Sequence, residues 1–390
     1  MRMVTATQHP QLAQATWEKL EKHLLRRALD IAEAKKKGTR VVGVFPGDWV
    51  PEELIHAGGA LPVGLILGGE PDPLEAAHSV LPRFICPFAK AACGYGLIPD
   101  RPLYRLPDLY ADPVSCQSMR RVGDIYSYYL GANVFKMGVP HFPQQDDHIE
   151  HFKIVLREFV KSLEDLTGKP QGDLKGSIKL YNRIRSALLE LSRMRKVSDP
   201  PLTGKEFIRL NHASLVGDPV FMADILEEFV KELRGKHRTA KGPRLLITGP
   251  CIAQGDFMVL DLFDEFGAQI VVDDIVEGMR YYWRNIETDG DLLHNLAVGY
   301  LRERRPWPHV VGSTKVRPEN LFNLAREFGA QGIVWYELKY CECYDMESYY
   351  CAEQAAQKGI PFLRLVSEYQ PEEKGLFRTR IEAFLETIRR

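Results

Sequence analysis

Two spacings of apolar residues alternate along the chain. Over residues 13–37, Trp17, Leu20, Leu24, Leu25, Ala28 and Ile31 recur mostly three or four positions apart among charged residues. That spacing puts one apolar stripe on an amphipathic helix. Residues 40–45 are instead a short, continuous, β-branched run, the pattern of a buried strand. Pro51, Glu52 and Glu53 come next, where Pro fits a first helical turn and the carboxylates suit the positive end of a helix. The unit then repeats. Strands are expected at 61–67, at the start of 84–94 where a strand end runs into a helix, at 106–110 and at 134–139, with a helix over 116–129. Short apolar runs alternating with helices build a parallel sheet.

Over 147–166 the apolar positions Ile149, Phe152, Val155, Phe159, Val160, Leu163 and Leu166 mark a long helix, and helical spacing continues to about Arg234. A basic link bounded by Gly235 and Gly242 leads to a second series of strands, expected at 244–248, 269–272, 309–312, 332–338 and 361–366. A chain of 390 residues exceeds one compact core. The expected fold is α/β: two doubly wound, flavodoxin/Rossmann-like parallel-sheet domains with an N-terminal helix and a helical insert. Their bounds are 1–145, 146–240 and 241–390.

Composition narrows the function. With 45% hydrophobic and 26% charged residues, 51 of them basic and 52 acidic, the chain is an ordinary globular one with no charge excess for nucleic acid or an anionic membrane. Residues 1–11 are polar and lack an apolar export signal, so a cytoplasmic protein is expected. The longest stretch without Asp, Glu, Lys or Arg, 54–69, is broken by glycine and proline and is shorter than the roughly 20 residues of a membrane span. Seven cysteines, an odd number at low density, are thiols, metal ligands or core residues rather than a disulfide framework.

Ligands of open parallel sheets bind beyond the carboxyl ends of the strands, where the next helix begins. Cys86, Cys116, Cys251 and Cys341 are all expected at such junctions. A cysteine at a helix N-terminus has its thiolate favoured by the dipole and by free backbone N–H groups, and thiolates hold iron–sulfur clusters. A small buried hydrophobe is the other reading of each cysteine. The chain has no C-x-x-C pair, and the spacing of Cys86, Cys93, Cys116, Cys341 and Cys343 matches no zinc ribbon or ferredoxin. A metal site therefore needs distant ligands brought together across a cleft. His148 and His151 stand among Asp146, Asp147 and Glu150, a solvated helix start rather than a zinc pair. The segment 94–99 departs from a dinucleotide fingerprint, and neither a P-loop nor a G-x-S-x-G elbow occurs. Asp273 and Asp274 lie at a strand end, available to a ligand or simply part of a polar loop.

At these same residues the chain resembles the 2-hydroxyacyl-CoA dehydratase and benzoyl-CoA reductase family over nearly its whole length. The resemblance rests on VVGVFPGDWVPEELIHAGGALPVGL at 41–65, ICPFAK at 85–90, VSCQSM at 114–119, Tyr340-Cys341-Glu342 ahead of Gly359-Ile360-Pro361, and RTRIEAFLE at 378–386. It implies a [4Fe-4S] cluster held by Cys86, Cys116 and Cys341, with one iron left open. It also implies a separate ATP-dependent iron–sulfur activator that delivers an electron, an acyl-CoA substrate reduced to a radical, and a homologous partner subunit or a homodimer. The outcome is then loss of the 2-hydroxyl as water, a lyase reaction, or reduction of an aromatic ring, an oxidoreductase one, in either case in an oxygen-sensitive, anaerobic enzyme. Segments 271–274 and 305–308 lack cysteines expected of the double-cubane branch, which favours a single cubane. Cys93, Cys251, Cys343 and Cys351 nonetheless leave thiols for a second. Cys343 competes with Cys341 as third ligand, and the distance to Gly359 favours Cys341. Asp48 and Glu52, followed by His56, are the candidates for handling a substrate proton, although Glu52 is equally explained as a first-turn helix stabiliser.

Overall fold

The computed structural model describes residues 12–308, 310 and 312–389. Helix α1 (Gln14–Lys36) leads into β1 (Val41–Val44), α2 (Glu52–Ala57), β2 (Leu61–Gly64), α3 (Pro71–Ala77), α4 (Pro87–Leu97), β3 (Leu109–Val114), α5 (Gln117–Tyr129) and β4 (Val134–Gly138). Helices α6 (Asp146–Thr167), α7 (Leu174–Arg193), α8 (Gly204–Val216) and α9 (Pro219–Leu233) follow with no strand between them. The rest comprises β5 (Arg244–Thr248), α10 (Met258–Glu265), β6 (Gln269–Asp274), α11 (Leu292–Val298), α12 (Ser313–Glu327), β7 (Gly332–Leu338), α13 (Glu342–Gln357), β8 (Phe362–Ser367) and α14 (Glu373–Arg389).

The strands form two four-stranded parallel sheets, ordered β2-β1-β3-β4 and β6-β5-β7-β8. This is the α/β fold with two parallel-sheet domains that the alternation predicts, and the two sheets repeat one topology. Strand order reverses between β1 and β3 and again between β5 and β7, so each sheet has a switch point where the outgoing loops part.

Side chains alternate across a strand, and in the central strands β1, β3, β5 and β7 both faces are buried. Val41, Leu245 and Ile247 belong to one apolar cluster, while Val42, Leu246 and Val272 belong to another. Each apolar layer therefore runs through both halves of the molecule. A parallel bridge between Leu67 and Gln254 ties the halves at the backbone, with Gly68 N–H donating to Gln254 O at 3.1 Å and Gln254 N–H to Ile66 O at 2.8 Å.

Three local expectations change. Residues 84–86 run from a turn through a bend into the start of α4 rather than forming a strand end; Pro82 and Pro87 on either side lack the N–H a strand ladder needs. The strand expected at 106–110 lies at Leu109–Val114. It runs on through Asp112 and Pro113 because Pro113, paired with Met137, sits near the strand end, where a missing donor is tolerated. Of the strand expected at 309–312, residues 309 and 311 lie outside the described residues, as do the polar residues 1–11; Val310 is in a bend. No helix among the described residues is long and apolar enough to cross a membrane.

Candidate metal centre

Cys116 lies two residues beyond the end of β3 and Cys341 three beyond the end of β7, each at its sheet's switch point. Both are N-cap residues, of α5 and α13. Cys86 does not follow a strand as expected, yet it too is an N-cap, of α4, with Pro87 opening the helix. Pro fits there because its missing N–H is one the helix leaves unpaired. All three candidate ligands thus sit at helix starts, where free N–H groups face the cap. The Met119 N–H donates to Cys116 Sγ at 3.5 Å.

The three thiols are close enough to feel one another's charge: Cys86 interacts with Cys116, and Cys341 with both. Each is a free cysteine, partly buried. Burial pushes the Cys86 thiol up to about 11, with the Ala89 N–H offsetting part of the rise and the Cys116 charge adding to it. Burial likewise raises Cys116 against the pull of the Met119 N–H. Cys341 is held far above the ordinary thiol range by burial and then by Cys86 and Cys116. The helix starts were expected to lower these values. Desolvation and mutual repulsion win instead, because both penalise the charged form. Without a cation the three are neutral thiols.

Among the described residues no group of three or more His, Cys, Asp or Glu side chains is arranged around a single metal ion. One ion gathers its sulfurs to about 2.3 Å from a single point. A cubane spreads its thiolates over different irons. Three unbridged thiols on three separate elements, each at a helix start, are a donor set of the kind such a cluster takes.

The other cysteines separate cleanly. Cys251, three residues past β5, feels Cys86 and Cys341. Cys343, in the first turn of α13, feels Cys116 and is raised to about 11, chiefly by burial. Cys93 and Cys351 are buried core residues that feel no other thiol. The pair His148 and His151 gives a half-buried and an exposed residue at the start of α6.

Asp48 follows β1 in the left-handed conformation, φ 56°. Its carboxylate pairs with Arg304 and, at 3.5 Å, with Arg280. Arg280 lies over the Trp49 ring at 4.1 Å, and Arg304 over Tyr300 at 3.6 Å. Glu52 is buried, and burial followed by the Glu53 charge pushes it up to about 8. It is a neutral acid at physiological pH rather than a helix-start carboxylate. Its neighbour Glu53 is the ionised one, held down by Arg185 and the Tyr300 hydroxyl, which donates at 2.7 Å. His56 faces Ser177 Oγ at 3.1 Å, and burial lowers its pKa.

Sequence reading missed Glu277, raised by burial to about 8 with the Gly47 and Glu277 N–H groups beside its carboxylate. It also missed Asp112, inside β3 and raised by burial to about 7. An acidic residue within an apolar strand run was the available signal for Asp112; Glu277 left none. Asp273 and Asp274 serve structure, pairing with Arg195 at 2.8 Å and Arg305 at 2.6 Å.

Fold and site together define a two-sheet α/β protein with three thiols at helix starts, two of them just beyond strands at the switch points. The model of the 2-hydroxyglutaryl-CoA dehydratase D-component family matches residues 49–388, and the chain belongs to that family. It is 24% identical over 373 residues to a protein of Escherichia coli K12 provisionally named dehydratase subunit YjiM, covering 92% of this chain and 94% of the relative. A benzoyl-CoA reductase subunit of Thauera aromatica is 23% identical, over 83% of this chain and 84% of its own length. The beta subunit of (R)-2-hydroxyglutaryl-CoA dehydratase from Acidaminococcus fermentans is 24% identical, over 92% and 95%. With these relatives the chain is an enzyme of the 2-hydroxyacyl-CoA dehydratase and reductase type.

Proposed function

We propose that this chain is the [4Fe-4S] subunit of a radical 2-hydroxyacyl-CoA dehydratase, with Cys86, Cys116 and Cys341 as cluster ligands. One observation carries the reading: three free cysteines, each capping a helix, lie within electrostatic reach of one another. The bound cluster supplies a low-potential electron for a CoA thioester. The chain's own residues do the rest. Three helix starts orient N–H groups toward the sulfurs and stabilise their charge once deprotonated. Apolar layers pack against the partly buried cysteines, Cys86 and Cys116 against one cluster and Cys341 against the other. Glu52, protonated at neutral pH, holds a proton in the buried network beside Asp48, and that network anchors the loop leaving β1.

An ATP-dependent activator feeds the electron, and a homologous partner completes the enzyme. Support for the homologous partner is that relatives such as the Acidaminococcus protein are named beta subunits. The benzoyl-CoA reductase relative keeps ring reduction as the second reading. Mixing the reduced complex with benzoyl-CoA separates the two, since a cyclic diene forms only in the second.

Iron and acid-labile sulfide measured on anaerobically prepared protein test the proposal. About four irons per chain are expected, with losses in Cys86→Ala, Cys116→Ala and Cys341→Ala. A colourless, iron-free protein after anaerobic reconstitution would sink it.

A further inference from the structure

A cavity of about 590 Å³ opens where the loop after β4 meets Trp283, the segment 301–306 and α12. Three arginines line it: Arg302, Arg304 and Arg305. Two of them have their charge met one to one, Arg302 by Asp146 at 2.7 Å and Arg305 by Asp274 at 2.6 Å. Arg304 differs. Its Nη1 serves the Asp48 carboxylate and, at 2.8 Å, the Asp48 carbonyl. Its Nε and Nη2 take no hydrogen-bond partner, although the side chain is only 1% exposed. In a planar guanidinium those two N–H groups point the same way, a two-pronged fork that fits two oxygens of a carboxylate or phosphate.

The charge count points to the same need. Asp48 is one carboxylate for two guanidiniums, since Arg280 Nε also turns to it at 3.5 Å, longer than a good hydrogen bond. Nearby Arg185 already has Glu53, and Glu52 and Glu277 are protonated at neutral pH. Burial pushes Arg280 down to about 9, with Asp48 opposing the fall and Arg304 adding to it. A buried cation short of counter-charge is costly, and an anion from outside the chain supplies what is missing. Acids on the cavity wall do not, because Glu327 is held by Lys196 at 2.5 Å and Glu303 is exposed.

We propose that this cavity binds an organic phosphate, anchored by the Nε and Nη2 fork of Arg304. The site goes beyond the cluster reading and stands without it. A lone small anion leaves most of the cavity unfilled, and its volume falls in the range of about 300–1,000 Å³ usual for small-molecule sites. Trp283 offers the rest of the ligand a flat ring, and Asn320 and Asn323 offer amides. The fork is shut off from solvent, but Arg304 directly follows the π turn Gly299–Glu303, an irregular stretch whose small shift opens the fork to the cavity.

Isothermal titration calorimetry on the full chain, with pyrophosphate, ADP and adenosine as probes, tests the proposal. Pyrophosphate and ADP are expected to bind, and adenosine, which has no phosphate, to bind at least about tenfold more weakly than ADP. Arg304→Lys keeps a charge for Asp48 but loses the fork, and should weaken ADP by about tenfold. Asn320→Asp, half-buried on α12, adds a carboxylate to the cavity wall. It should weaken both phosphates by about fivefold and leave adenosine unchanged. If circular dichroism shows that Arg304→Lys does not fold, Asn320→Asp decides alone. No binding of either phosphate at millimolar concentration, or equal affinities in wild type and Asn320→Asp, overturns the proposal. Coenzyme A then identifies the source of the phosphate. If it displaces ADP, the phosphate is the thioester's own; if ADP stays bound, the site takes a separate nucleotide. Iron is not measured, so failure here leaves the cluster reading untouched.

Discussion

Asp48 and Arg304, separated by most of the chain, are joined twice: the Arg304 guanidinium pairs with the Asp48 carboxylate and donates to the Asp48 carbonyl at 2.8 Å. Both side chains are almost wholly buried, and Arg280 closes on the same carboxylate. Removing the acid leaves two buried guanidiniums short of a counter-charge. Asp48→Ala should lower stability by about 3–5 kcal/mol in urea unfolding. Asp48→Asn should lose less, because Asn tolerates the left-handed backbone and keeps an acceptor for Arg304. Equal losses would mean that the charge contributes nothing and the backbone everything.

Glu52 makes stability depend on pH in a fixed direction. Its carboxyl titrates near 4.5 ordinarily and near 8 in the fold, with burial and then the Glu53 charge raising it and Tyr281 and Arg185 opposing. Asp48, Tyr181 and Tyr300 also face this network. Between those values the folded chain holds a proton that the unfolded chain has released. The stabilisation is complete below 4.5 and disappears as pH rises through about 8. Glu52→Gln keeps the shape without the titration. Unfolding free energies of the two proteins measured from about pH 5 to about pH 8 should diverge, with wild type losing stability faster. Parallel curves would show that Glu52 is already ionised in the fold.

Much of this architecture is legible in the sequence because parallel strands buried on both faces write continuous apolar runs. Residues 244–248 and 332–338 fall where expected. Shifts occur where a polar residue sits inside a strand: Asp112 hides the end of β3, since its burial against α5 is a tertiary fact. The positions of Cys86, Cys116 and Cys341 were readable as helix starts, whereas Cys251 lies in the loop ahead of α10 rather than where that helix begins. The thiol pKa values were not readable, because helix-start geometry is local while desolvation depends on what packs above. Glu53 was read with Glu52 as one of two helix-start carboxylates. Only the fold brings Arg185, 132 residues away, to ionise one and leave the other protonated.

Gly123 sets the distance between α5 and β3. A Cβ there would lie 2.2 Å from Asp112 Oδ2 and 3.1 Å from its Cγ, and the short Asp112 side chain, fixed in the middle of a strand, has little room to retreat. Gly123→Ala gains about 1 kcal/mol of helix propensity, which overpacking of about 1–3 kcal/mol outweighs. Because α5 carries Cys116 at its cap, the variant should melt lower and retain iron less well after reconstitution. Asp112→Ala added to Gly123→Ala should restore iron retention by clearing the clash. If the double variant holds no more iron than the single one, the clash is not the cause.

Cys93 and Cys351 decide whether the chain has thiols for a second cluster. Cys93 is fully buried on α4, and Cys351 is 1% exposed on α13. Burial is the first cause of the raised pKa of each, and neither feels another cysteine. Both then act as small apolar side chains. Cys93→Ala and Cys351→Ala should each cost about 1–2 kcal/mol through the cavity left behind. Each should still bind about four irons with the wild-type resonance spectrum. Loss of iron from either variant, at unchanged circular dichroism, would instead place that sulfur on a metal.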